Sequence, residues 1–146
     1  MKKSYQDRLL QLTDKKDTTR IKAFLNDLPS TEKGDIFEWY LAELYKGNGW
    51  LTKIRGGRSD AGADILLYHP KTPSSVSLIV QAKNHANPLT FDQTKIELIK
   101  FEQQAALKYN CQQFNIVAVN SFVREAKKLS RFNMLLYGWD YVAGLI

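Results

Sequence analysis

The chain has 146 residues, 44% of them hydrophobic, and a formal net charge of +6 from 21 Lys and Arg against 15 Asp and Glu. That length suits one domain with a single core, and a lone cysteine, Cys111, excludes an intrachain disulfide or a thiolate zinc cluster. No run of about 18 apolar residues and no apolar block of signal-peptide length occurs. The expectation is a soluble, cytoplasmic protein, away from membranes, whose basic surface favours a polyanionic partner such as nucleic acid.

In chain order, Leu9, Leu10 and Leu12, then Ile21, Phe24, Leu25 and Leu28, predict two short helices over residues 3–28 with a break near Asp14 to Asp17. Pro29 and Ser30 interrupt them. Ile36, Phe37, Tyr40, Leu41 and Leu44 predict a longer helix from about Asp35 to Lys46, closed by Gly47 to Gly49. WLTKI and ADILLY read as strands separated by a glycine-rich turn, and SLIVQAK as a third whose run Leu78, Ile79, Val80 suits the sheet centre. A long amphipathic helix is expected from Thr90 to Tyr109. FNIVAV follows as a strand, SFVREAKKLSRF as a helix N-capped by Ser121, MLLY as a short strand and GWDYVAGLI as a terminal helix. This order predicts an α/β sandwich, a central mixed sheet flanked by helices, with the fourth strand parallel to the third. No glycine-rich phosphate loop of the Rossmann or Walker type occurs, so no nucleotide cofactor is expected.

Hydrolysing a phosphodiester calls for a hard cation, oxygen ligands to hold it, and a group that positions the attacking water. Asp64 offers a carboxylate at the start of ADILLY, although a strand-edge aspartate after a turn is common. Gln81 and Lys83, two apart near the end of SLIVQAK, point to the same side of their strand. An amide oxygen brings no charge, so Glu38 is the candidate for the missing negative group. Its spacing from Asp35 leaves a second role open, completion of a capping-box-like helix start. Asp60 is expected to form a turn.

The segments GDIFEWYLAELYKGNGW, GGRSDAGADILL and LIVQAKN resemble the PD-(D/E)XK nuclease superfamily, specifically its Mrr-like restriction endonuclease branch, where glutamine also replaces the usual acid of the third motif. VAVNSFVREAKKLSRFNMLLYGWDYVAGLI is similar to the closing strand, "sF..A", strand and "dG..L" of that branch, so the likeness runs from about Gly34 to Ile146. It implies a restriction-endonuclease-like fold over residues 31–146, preceded by a helical extension over 1–30. It also implies Mg2+-dependent hydrolysis of DNA, with Mn2+ as a substitute. Asp64, Gln81 and Lys83 match the catalytic positions, and Glu38 matches the helical glutamate. The chain departs from the branch at QAKN, where Q-C-K is more usual, and at Tyr137, Gly138 and Trp139, where an acidic turn is common.

Lys53, Arg55 and Arg58 precede Asp64 on a basic, glycine-rich segment suited to backbone phosphate, and Arg124, Lys128 and Arg131 form a second basic set at helical spacing. Cutting both strands requires two active sites, which a homodimer would supply. Two alternatives stand beside the endonuclease reading: a branched-DNA resolvase with the same centre, and a DNA-binding or assembly module that keeps the fold without cutting.

Overall fold

Pro29 decides where the main helix begins. In the structure, a computed structural model that describes residues 2–55 and 62–146, helices α1 (Lys2–Asp14) and α2 (Thr18–Asp27) are followed by α3 (Ser30–Gly47). The start of α3 lies five residues before the expected Asp35 (35 − 30). Pro29 sits at the N-cap with φ −55°, and Ser30, Thr31 and Glu32 make the first turn, Glu32 favourably placed against the helix dipole. The break between α1 and α2 falls where expected, with Lys16 at φ 52° and the Asp17 carboxylate accepting the Arg20 N–H at 3.2 Å.

Strands β1 (Leu51–Ile54), β2 (Ile65–Tyr68), β3 (Leu78–Lys83), β4 (Phe114–Ala118) and β5 (Met134–Tyr137) form one sheet in the order β1-β2-β3-β4-β5. β1 and β2, and β2 and β3, pair antiparallel; β4 and β5 continue from β3 in parallel. This is the expected mixed sheet, with β3 at its centre. The remaining helices are α4 (Phe91–Lys100), α5 (Ala106–Lys108), α6 (Arg124–Lys127) and α7 (Trp139–Leu145). A π-helical turn, Phe101–Ala105, joins α4 to α5, so the expected long helix is continuous but locally widened. Among the described residues no helix is long and apolar enough to cross a membrane.

Alternation along the strands sorts side chains into two cores. Ile65, Leu67, Val80 and Val117 pack with Leu9, Leu25, Phe37, Tyr40, Tyr45 and Val142 from α1, α2, α3 and α7. Leu66, Ile79, Ile116 and Ala118 pack with Leu98, Phe101, Ala105 and Ala126 from α4 to α6. Each large side chain fully buried this way contributes about 1.5–3 kcal/mol. Ile79 belongs to the α4 side of β3, so Gln81 and Lys83, two and four residues on, share that side.

The helix expected over SFVREAKKLSRF is much shorter. Ser121 adopts φ 63°, not the extended backbone typical of a helix N-cap, and α6 spans only Arg124–Lys127, with Val123 at its N-cap and no side-chain cap. Gly138 explains the tight corner: a Cβ there would meet Ser121 Oγ at 2.7 Å, so the turn before α7 accepts only glycine.

Candidate active site

Asp64 stands where the β2–β3 ladder ends. Ile65 pairs with Val80, and one residue earlier the Asp64 N–H donates to the Val80 carbonyl at 3.0 Å while Arg55 N–H donates to the Asp64 carbonyl at 2.7 Å. β3 continues to Lys83 past the first residue of β2, and the Ala82 N–H donates at 2.8 Å to Asp64 Oδ2. A side-chain carboxylate thus does the work of a backbone carbonyl, which fixes its position against β3.

Glu38 lies inside α3, eight residues after its first residue (38 − 30), so the capping-box role is excluded. It is half-buried and lines a cleft of about 440 Å³ together with Asp64, Gln81 and Lys83. Ser30, Lys33 and Asp35 of α3 and Asn84 and His85 beyond β3 complete the walls used here. The four residues singled out from the sequence are therefore brought together from three elements. Among the described residues no group of three or more His, Cys, Asp or Glu side chains could hold a metal ion; the cleft offers Glu38, Asp64 and the Gln81 amide, with Asp35 on its wall exposed and paired with Lys2 at 3.2 Å.

Gln81 is 4% exposed, and its Oε1 is buried with no hydrogen-bond partner among the described residues. Leaving such an acceptor unmet costs about 1–3 kcal/mol. Asn84 shows the same mixture: its amide donates to the Leu25 carbonyl at 2.9 Å, but its Oδ1 is likewise unpartnered among the described residues. Asn120 adds a second staple, donating to the His85 carbonyl at 2.6 Å and to Asn26 Oδ1 at 2.7 Å. The α2–α3 corner is thereby tied to the strand ends that carry the site.

Lys83 does not stand alone in the cleft. Its ammonium lies 3.5 Å from Glu97 Oε1 on α4, with side chains 23% and 15% exposed. Glu97 escapes sequence reasoning because it sits 14 residues downstream (97 − 83) in an ordinary amphipathic pattern; only the fold brings it to β3. His85 is exposed at the rim. Partial burial and then the Lys83 ammonium lower its pKa below the usual histidine value, with Lys33 adding to this and Glu97 opposing it.

The basic candidates separate. Lys53 is exposed on edge strand β1, and Arg55 lies directly across from Asp64, its Nε buried and unpartnered among the described residues. Arg58 and Asp60 lie outside the described residues. Arg124 opens α6, but Lys128 already caps that helix and pairs with Glu125 at 3.2 Å. Arg131 bridges to Met134 at the start of β5. Met134 aligns with Phe114 and Phe114 with Ile79, so Arg131 sits at the end of the sheet opposite Lys83. The expectation of one helical basic stripe is thus corrected, because the helix ends before it. Gln103 and Gln104 are exposed on the π-helical turn, while Trp39, Trp50 and Trp139 pack against the first core.

No curated protein matches the chain. A solved structure, that of a protein of unknown function designated AF1548, is similar in fold, with a TM-score of 0.56 at 20% identity over 71% of this chain; the match spans 57% of that protein's length. The Mrr_cat family model, described as restriction endonuclease, matches residues 30–137, from the first turn of α3 to the end of β5 and across every cleft residue named above. The chain belongs to the Mrr_cat restriction endonuclease family, and its fold is the mixed-sheet α/β fold of that nuclease type.

Proposed function

We propose that the protein is a divalent-cation-dependent endonuclease that hydrolyses DNA phosphodiesters, with Glu38, Asp64, Gln81 and Lys83 as its working residues. The observation that carries this reading is the buried, unpartnered Oε1 of Gln81, a residue that lines one cleft with Glu38 and Asp64. An orphaned amide oxygen on a residue that shares a cleft with carboxylates fits a hard, oxygen-seeking cation, Mg2+ or in its place Mn2+, which would satisfy it. When bound, such an ion supplies Lewis-acid stabilisation of the phosphate and an acidified water.

The chain's own residues do the rest. Asp64, clamped by the Ala82 N–H, holds a carboxylate at a fixed place at the ladder's end. Gln81 contributes an uncharged donor, which keeps the affinity for a cation modest. Glu38 adds the second negative charge from α3. Lys83 points its ammonium at charge developing on the phosphate oxygens and orients the attacking water. Lys53 on β1 and Arg55 just past its end flank Asp64 and would hold the DNA backbone without reading its sequence, while Arg124 and Lys128 extend that contact weakly and Arg131 contributes least. Double-strand cuts then require a second copy of the chain.

One observation favours a second reading, a DNA-binding module that does not cut: Lys83 is occupied by Glu97, and position 81 brings no charge. A single assay separates the two. Purified protein is incubated with supercoiled, linear and branched DNA in Mg2+, Mn2+ or chelator, beside Asp64→Ala and Lys83→Ala. Cleavage that needs the cation and disappears in both variants supports the nuclease. Cleavage that persists in both variants contradicts the site, and salt-sensitive binding without any cutting favours the module.

A further inference from the structure

We infer that Glu97 is a positioning residue, holding the Lys83 ammonium at the wall of the cleft; this rests on the nuclease reading of that cleft. Lys83 ends β3 on a long stem with many rotamers, and a group meant to meet a phosphate must be restricted before the substrate arrives. The restraint is Glu97 Oε1 at 3.5 Å, in surroundings that leave both side chains mostly buried.

The pair is poorly built as a stability device. Glu97 Oε2 is buried and has no hydrogen-bond partner among the described residues. A buried ion pair offsets its desolvation only when the remaining lone pairs are also satisfied. What the pair does well is orientation, because α4 is itself held firmly. A capping box locks its start, with Thr90 N–H on Gln93 Oε1 at 2.9 Å and Gln93 N–H on Thr90 Oγ1 at 3.2 Å. Just past its end, Phe101 stacks on Phe114 of β4, ring centroids 4.4 Å apart.

The same face of α4 backs the acid side of the site. Lys100, three residues after Glu97, runs its stem along Gly62, whose φ of +86° delivers the chain toward Asp64. One helix thus meets both Lys83 and the chain two residues before Asp64. Lys83 lines a second cavity of about 190 Å³ together with Leu89, Ile96 and Glu97, as well as the main cleft, so the paired ammonium stands between the two.

The test is a double-mutant cycle on DNA cleavage with wild type, Glu97→Gln, Lys83→Ala and the double variant, with Glu97→Asp as the conservative rescue. Glu97→Gln should lower kcat by roughly 10- to 100-fold, the scale of a small misplacement, with KM little changed. Glu97→Asp should recover part of that loss, and Glu97→Gln should add nothing in the Lys83→Ala background. Equal losses in both backgrounds, or an effect confined to KM, overturn the inference. A readout independent of cleavage is the ammonium signal of Lys83 in 1H–15N spectra, sharp in wild type and broadened in Glu97→Gln. An unchanged signal overturns the inference even if the wild type cuts no DNA. Calorimetry with Mg2+ should give the same affinity for Glu97→Gln and wild type; a tenfold loss would make Glu97 a cation ligand instead.

Discussion

The packed layer on the α1–α3 side and the cleft at the end of β3 treat buried polar atoms in opposite ways. In the layer, the Tyr40 hydroxyl meets Thr13 Oγ1 at 2.6 Å and the Tyr45 hydroxyl meets that of Tyr141 at 2.9 Å, each polar group entering the core with a partner. Gln81 Oε1 and Asn84 Oδ1 at the cleft, and Glu97 Oε2 in the adjoining cavity, are buried with none among the described residues. Tyr109 and Glu32 carry two further such oxygens outside both cavities that Lys83 lines, so the pattern is a concentration and not a rule. The contrast teaches where stability has been given up: satisfied groups build the frame, and unsatisfied acceptors gather around the cleft, where the proposed cation would meet them.

Substitutions on the two sides should therefore fail differently. Leu41→Ala, in the packed layer, should cost about 2–5 kcal/mol in chemical denaturation, while the folded fraction cuts DNA at the wild-type rate. A matching loss of specific activity would erase the distinction. Lys83→Ala should do the reverse, reducing kcat by roughly 100-fold or more with a thermal midpoint within a few degrees of wild type. Asn84→Ala straddles the two regions, since it removes the donor to the Leu25 carbonyl; destabilisation of about 1–3 kcal/mol in denaturant is expected, and no change would mean that the α2 staple is idle.

The smallest effect concerns His85. Its protonation is disfavoured in the fold, chiefly by partial burial and next by Lys83. The folded chain consequently binds fewer protons there than the unfolded chain, and its contribution to stability is lost as pH falls through roughly 6.5. Because His85 is exposed, the change should be slight. Proton NMR should place its titration midpoint below the ordinary value, and Lys83→Ala should move the midpoint upward. A midpoint that ignores Lys83 would separate His85 from the cleft.

Much of the frame was legible because it rests on local rules. The run through Leu78, Ile79 and Val80 marked the central strand, and the two-residue spacing of Gln81 and Lys83 put both on one side of it. Glu38 was legible as a residue but not as a role, since the choice between cap and cleft turned on where α3 starts, and Pro29 moved that start upstream. The basic set from Arg124 to Arg131 misled because helical spacing says nothing of where a helix stops; the left-handed turn at Ser121 and its fit against Gly138 shorten α6. Glu97 was invisible for a different reason. Its partner is reached across the helix–sheet interface, and no periodicity within α4 distinguishes it from a solvated glutamate.

Gln81 joins the two halves of the contrast, and replacing it by leucine reads both in one experiment. Removing a buried, unpartnered amide oxygen should raise stability by about 1 kcal/mol, seen as a higher thermal midpoint without cation. The same variant should lose the heat of Mg2+ binding in calorimetry and the midpoint rise that Mg2+ gives the wild type. A variant that melts lower than wild type yet binds Mg2+ unchanged would show that Gln81 serves the frame, and would contradict the assignment of the cleft as a cation-dependent nuclease site.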